Sequence, residues 1–193
     1  MSAAILRQIP NAITVARVIA VAPTAWCLWT GLYVEALVVM AIAGASDAVD
    51  GWLARQFDWG SRFGAAVDPL ADKLLVGVLF VALTLKGHLP LWVAGIAVGR
   101  DIVILSGAAT YRLLFGPLEF APTWLSKANT FVQILVCLVI LLGLCDLGQL
   151  SAFARVIADP FGFWCVAVLG LVSGIDYVVT WSRRAIDESR ARQ

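Results

Sequence analysis

Six apolar runs, separated by short breaks of glycine, proline and charged residues, recur along the whole chain. They cover about 13–31, 34–57, 65–86, 91–114, 124–147 and 160–183. Each is close to the ~20 residues an α-helix needs to cross a bilayer. Pro10 and Asn11 offer a helix start before the first run, and Gly31 closes it. Asp58, Gly60 and Ser61 predict a short turn after the second. Lys86, Gly87, His88 and Pro90 break the chain after the third, and Gly116 and Pro117 after the fourth. Pro122 precedes the fifth. Residues 148–159 read as a short surface helix, and 184–193 as a charged tail that starts helical and then frays. The predicted fold is all-α: a polytopic integral membrane protein with six transmembrane helices.

Composition sharpens this picture. Of 193 residues, 61% are hydrophobic, and the mean hydropathy is +0.90, too apolar for a soluble domain. No long polar stretch leaves room for a separate soluble unit, so residues 1–193 read as one membrane-embedded domain. The opening M-S-A-A-I-L-R-Q-I-P lacks the apolar core of a cleavable signal peptide. A net charge of +1 gives no reason to expect a nucleic-acid partner. The four cysteines, Cys27, Cys137, Cys145 and Cys165, lie scattered in apolar sequence with no C-x-x-C pair and read as packing residues. His88 stands alone in its loop and reads as a surface or interface residue.

Charge also orients the chain. Arg7, Arg17, Arg55, Arg62, Arg112, Lys127, Arg183, Arg184, Arg190 and Arg192 fall on one side of the predicted spans, and only Lys86 and Arg155 on the other. The positive-inside rule then places both termini in the cytoplasm, beside anionic lipid.

Against this apolar background stand four aspartates, Asp47, Asp50, Asp68 and Asp72, at the cytoplasmic ends of the second and third runs. One carboxylate in a membrane helix costs roughly 2.5–3.5 kcal/mol on insertion scales, and four together also repel. Bound cations would balance them, and oxygen-ligated divalent metal suits the donor type. Asp47, Asp50, Gly51, Ala54 and Arg55 are offset by 3, 4, 7 and 8, which stacks them on one helical face. Asp68 and Asp72 share a face of the next helix. The short turn predicts antiparallel neighbours whose acidic faces meet in one cleft. Gly51 and Gly64 allow close approach to backbone, and Arg55 and Arg62 add positive charge. Carboxylates, metal and arginine beside glycine suit a pyrophosphate-containing substrate.

The pattern D-x2-D-G-x2-A-R-x8-G-x3-D-x3-D, filled by Asp47, Asp50, Gly51, Ala54, Arg55, Gly64, Asp68 and Asp72, resembles the signature of the CDP-alcohol phosphatidyltransferase family. Further similarity lies in the opening P-N-x-x-T-x-x-R, through Asn11, Thr14 and Arg17, and in the segments at Gly99–Leu105 and Trp124–Gln133, so that about 8–145 is covered. The resemblance implies six transmembrane helices, a homodimer and a site for two divalent cations, Mg²⁺ or Mn²⁺. It implies that Asp47, Asp50, Asp68 and Asp72 hold metal and that Asp72 is the general base. It further implies that Gly51, Ala54, Arg55 and Gly64 line the CDP pocket, with Asn11, Thr14 and Arg17 beside them. The implied reaction transfers a phosphatidyl group from CDP-diacylglycerol to an alcohol and releases CMP. The physics is consistent: a hydroxyl needs a base at neutral pH, and both substrates must be fixed in one cleft. The implied location is a bacterial inner membrane, or the mitochondrial inner membrane in a eukaryote.

The acceptor rests on fewer residues. Arg100, Arg112 and Lys127 are candidate phosphate binders near the fourth and fifth runs. An interfacial anchor competes for Arg112, and an ion pair with Asp101 for Arg100. Asp176 reads as a hydrogen-bonded helix-packing residue. Arg100–Asp101 and S-K-x-N-T-x-x-Q at 126–133 are most similar to eukaryotic-type cardiolipin synthases, whose acceptor is phosphatidylglycerol. Phosphatidylglycerophosphate synthases more often carry a second lysine where Asn129 stands, which suits glycerol 3-phosphate. From another class, an ion-coupled membrane transporter also keeps intramembrane acids. It would place them near the midplane between internal repeats, and this chain has them at one end, without a repeat.

Overall fold

The computed structural model describes residues 9–57, 62–115 and 123–191, excepting the side chains of 9–14, 17, 47–55, 57, 62–72, 112, 114, 115, 185–189 and 191. These residues form helices α1 (Ile9–Thr30), α2 (Tyr33–Phe57), α3 (Arg62–Leu85), α4 (Leu91–Phe115), α5 (Trp124–Leu144), α6 (Gln149–Val156) and α7 (Phe163–Ala191), with no strand among them. A π-helical turn, Ile157–Gly162, joins α6 to α7.

The breaks fall where backbone chemistry places them. Gly31 and Gly87 take φ of +80° and +77°. In each case the next amide reaches back over the last turn: Leu32 N to Cys27 O at 2.8 Å, and His88 N to Leu83 O at 2.9 Å. This is the glycine-closed helix end. At the start of α5 the Thr123 side chain accepts from Ser126 N at 3.3 Å. Before α7, Asp159 leaves the helical region (φ −116°, ψ 119°) ahead of Pro160, which disfavours helix in the residue before it. The short helix expected at 148–159 is therefore α6 plus a kinked turn. The last helix starts later than expected and runs on through the charged tail to Ala191. Pro23 interrupts the backbone ladder of α1, and the buried Thr24 hydroxyl satisfies Ala20 O at 2.7 Å nearby.

Three stretches are long and apolar enough to cross a membrane: Leu91–Tyr111, Trp124–Leu144 and Gln149–Arg184. Val18–Thr30, Tyr33–Ser46 and Lys73–Leu85 are shorter apolar stretches among the described residues. They belong to helices of 22, 25 and 24 residues. An all-helical integral membrane architecture follows, with three of the six expected spans qualifying by these criteria.

The packing order is not the chain order. α1 and α5 each pack against both α2 and α3, while α4 pairs with α7, and α7 with α5. The core under these contacts is apolar, with Leu28, Met40, Phe80, Val93, Leu141 and Val166 almost fully buried. Exposed Trp26, Ile42, Leu91, Phe131 and Ile175 point outward, as lipid-facing side chains do. Tyr33 and His88 join the α1–α2 and α3–α4 turns through an Oη–Nε2 hydrogen bond of 3.0 Å and an edge-to-face ring contact. His88 is thus the interface residue that its loop position suggests. The four cysteines are free thiols.

Candidate active site

Helical backbone runs without interruption through Asp47, Asp50, Gly51, Ala54 and Arg55 on α2, and through Gly64, Asp68 and Asp72 on α3. The offsets of the aspartate motif therefore fall on continuous helix in both arms. The side chains of these residues, and those of Asn11, Thr14, Arg17 and Arg112, lie outside the described residues, and so does the turn at 58–61. By backbone, Asn11, Thr14 and Arg17 belong to the first turns of α1, which packs against both acid-bearing helices.

Beside the motif the side chains are clear. Lys73, the residue after Asp72, forms an ion pair with Asp101 of α4. The same carboxylate oxygen accepts from Arg100 Nη1 at 2.6 Å. Arg100 is only 5% exposed. Its Nη2 donates to Ser126 Oγ of α5 at 2.7 Å and to Ser173 Oγ of α7 at 2.6 Å. One polar chain thus runs from the residue following Asp72 to the residue preceding Lys127, touching α3, α4, α5 and α7. A buried cation needs such compensation, because desolvation otherwise costs several kcal/mol.

This arrangement gives Arg100 an ion pair and two hydroxyl partners within the protein. Lys127 lies exposed on the first turn of α5. Asp176 is partly exposed on α7 and has no hydrogen-bonding partner among the described residues; the packing hydrogen bond expected of it is not formed there. Sequence reasoning missed Lys73, Ser126 and Ser173 as partners of the Arg100–Asp101 pair. Only the adjacency of Lys73 to Asp72, and of Ser126 to Lys127, hinted at them.

Asn129 and Gln133 follow on α5, one and two turns above Ser126. Both are buried (0% and 1% exposed), and their amide groups have no hydrogen-bonding partner among the described residues. Asn129 Oδ1 lies close to Gly170 of α7, 3.7 Å from where a β-carbon would stand. Buried amides rarely go unpaired, so both are available to a hydroxyl or water, Asn129 on the side of α5 that meets α7.

Among known proteins, a family model described as CDP-alcohol phosphatidyltransferase matches residues 7–181. A fission yeast protein, "Cardiolipin synthase (CMP-forming) / mitochondrial hydrolase fusion protein", is 32% identical over 188 residues, covering 89% of this chain and 31% of that protein. Human "Cardiolipin synthase (CMP-forming)" is 35% identical over 117 residues, 52% of this chain and 39% of that one. The Pseudomonas fluorescens "CDP-diacylglycerol--glycerol-3-phosphate 3-phosphatidyltransferase" is 36% identical over 148 residues, 69% of this chain and 72% of that one. The chain spans under half the length of the cardiolipin synthases it matches. With the aspartate signature complete and the family match extending over nearly all its helices, the chain belongs to the CDP-alcohol phosphatidyltransferase family.

Proposed function

We propose that this protein transfers a phosphatidyl group from CDP-diacylglycerol to phosphatidylglycerol, giving cardiolipin and CMP. The acceptor hydroxyl oxygen forms a bond to the phosphatidyl phosphorus, and the bond from that phosphorus to the CMP oxygen breaks. The hydroxyl proton passes to Asp72, and CMP leaves with the electron pair. Asp47, Asp50, Asp68 and Asp72 supply only hard carboxylate oxygens, which fits two Mg²⁺ or Mn²⁺ ions. Such ions neutralise the charge that develops on a departing phosphate. Gly51, Ala54, Arg55 and Gly64 line the nucleotide pocket, with Asn11, Thr14 and Arg17 at its edge. The protein works as a homodimer in a bacterial or mitochondrial inner membrane, with both ends and the aspartates on the cytoplasmic or matrix side. Lys127 at the start of α5 and Arg183 and Arg184 near the end of α7 support that orientation.

Asn129 carries the choice of acceptor. A lysine there would add a charge for a phosphate monoester. A buried neutral amide without a partner among the described residues suits a glycerol hydroxyl instead. Arg100, with Asp101 against it, adds little net charge nearby. A second reading, glycerol 3-phosphate as acceptor, is supported by the bacterial relative named for that substrate, 72% of whose own length is covered against 31% of the fission yeast protein.

The test is direct. Purified protein in detergent receives CDP-diacylglycerol, Mg²⁺ or Mn²⁺, and either phosphatidylglycerol or glycerol 3-phosphate, and the lipid products are identified. Cardiolipin from the first is the expected product. Turnover with glycerol 3-phosphate alone selects the second reading. Asp72→Asn is expected to stop CMP release while helical content is unchanged, and chelation of the metal is expected to do the same reversibly.

A further inference from the structure

Along the seam between α4 and α7 lies a groove of about 410 Å³. Gly95 and Gly99 on α4 and Gly170 and Gly174 on α7 line its floor, and the missing side chains at Gly95 and Gly99 leave the space open. Its walls are apolar: Ile96 and Val103 on one side, Leu171, Ile175, Val178 and Val179 on the other. Ile175 is 64% exposed and Leu171 52%, so the groove opens outward and not into the bundle. The Arg100 stem passes along the floor while its guanidinium turns to Ser126 and Ser173.

Two dimensions of this groove matter. Gly95–Val103 and Gly170–Val179 each rise about 12–14 Å at 1.5 Å per residue. That is close to the hydrocarbon depth of one leaflet, half of a ~30 Å core. At the end towards the C-terminus the seam closes with an edge-to-face contact between Tyr111 and Trp181, ring centroids 5.1 Å apart. Arg184 lies over the Trp181 ring at 5.2 Å. Arg183 stands one turn beyond Val179, and both arginines are exposed. Aromatic rings bordered by cations mark the headgroup level of a membrane, and arginines there attract anionic lipid.

We infer that the α4–α7 seam binds one anionic phospholipid. One acyl chain lies in the groove, and the phosphate sits at Arg183 and Arg184. Val179, at the groove's near end, is four residues from Arg183, about 6 Å along α7, so a chain whose phosphate sits at the arginines enters from the leaflet that meets the C-terminal end of α7. The arginine pair selects its charge. The site shares no residue with the aspartate motif.

Native mass spectrometry of delipidated protein tests it, with dioleoyl-phosphatidylglycerol and dioleoyl-phosphatidylcholine added separately. The intact chain is expected to retain one phosphatidylglycerol at this seam beyond any held as acceptor beside the aspartate motif, and to discriminate against phosphatidylcholine at the seam. A β-carbon at Gly95 or Gly99 meets nothing within 4 Å, so side chains in the double variant G95L/G99L start in the open groove, and the variant is expected to retain one lipid fewer. R183Q/R184Q is expected to weaken retention about fivefold per arginine removed. Ile175→Trp obstructs the groove from an exposed wall and repeats the test if G95L/G99L loses helical content by circular dichroism. Three outcomes overturn the inference: the number of phosphatidylglycerol molecules retained unchanged in both groove-filling variants, equal retention of the two lipids by the parent, or self-association in place of lipid binding at this seam.

Discussion

Arg100 on α4 donates to Ser173 on α7 at 2.6 Å, with both side chains buried. The contact is one end of a chain that continues through Asp101 to Lys73 on α3 and branches to Ser126 on α5. Four helices, α3, α4, α5 and α7, are thereby tied at one level, beside the backbone position of Asp72. Apolar packing within lipid gives little directional preference between helices. A buried cation with three named partners gives a strong one, because any slippage of a helix leaves charge unpaired.

Arg100→Met is therefore expected to destabilise the protein by about 2–3 kcal/mol, below the ~3–5 kcal/mol of a fully stranded pair, because Asp101 keeps Lys73. Ser173→Ala alone should cost about 1.5–3 kcal/mol, the range for hydrogen bonds to charged groups. In the double variant the serine term should vanish, since its donor is gone. Unfolding in mixed micelles, analysed as a double-mutant cycle, reads this coupling. Strictly additive losses would show that the Arg100–Ser173 contact carries no weight.

Much of this was legible in the sequence, and the reasons differ between elements. Helix positions followed from apolar run length and from Gly31, Gly87 and Pro122, because those signals act locally. The kink at Asp159–Pro160 was less visible, since apolar residues continue on both sides of it. The Arg100–Asp101 pair was visible only as an alternative to phosphate binding by Arg100, because its members are adjacent. Ser126 and Ser173 were not, since a serine in a membrane helix more often bonds its own backbone, as Ser46 does to Ile42 O at 2.7 Å. Packing order was also hidden: short turns suggest that sequential helices pair, yet α4 packs chiefly on α7. The aspartate motif was the clearest local signal of all, because charge in an apolar run needs a cause.

Glycines on the same seam should respond oppositely to substitution. A β-carbon on Gly170 would stand 3.1 Å from Ile96 Cγ2. Gly170→Ala therefore makes the Ile96 side chain give way by a few tenths of an ångström, an overpacking expected to cost about 1 kcal/mol. A β-carbon on Gly99 meets nothing within 4 Å. Gly99→Ala is expected to stabilise by up to about 1 kcal/mol through the helix preference of alanine. Thermal unfolding of the two variants side by side should shift in opposite directions.

The Tyr33–His88 contact carries a pH dependence. Burial first, and the nearby Lys86 ammonium second, hold the His88 imidazole below the ordinary histidine range of about 6.5. The unfolded chain then binds the proton more readily than the folded one. Stability from this group is fully present above pH ~6.5 and is lost as pH falls through the lowered folded value. His88→Gln keeps a polar partner near Tyr33 and removes the titration. The parent should lose stability between pH 6.5 and 5 more steeply than this variant. Equal slopes would remove His88 as the source.

Asp101 offers the sharpest link between scaffold and chemistry. It is 15% exposed and accepts from two cations at once, Lys73 and Arg100. Asp101→Asn keeps the shape and removes the charge, so Arg100 stays buried with two neutral hydroxyl partners. The expected loss is about 3–5 kcal/mol, the cost of breaking a buried pair from one side. Because Lys73 directly follows Asp72, the change also releases a restraint on the backbone that carries the proposed base. A purely structural role predicts lower yield of folded protein with unchanged kcat in what remains. A positioning role predicts that kcat for CMP release falls while KM for CDP-diacylglycerol holds, since the loss falls on the transition state alone. Asp101→Glu, which restores the charge at a different reach, should recover stability more than kcat. That split, measured on folded protein at saturating substrate, separates the two roles.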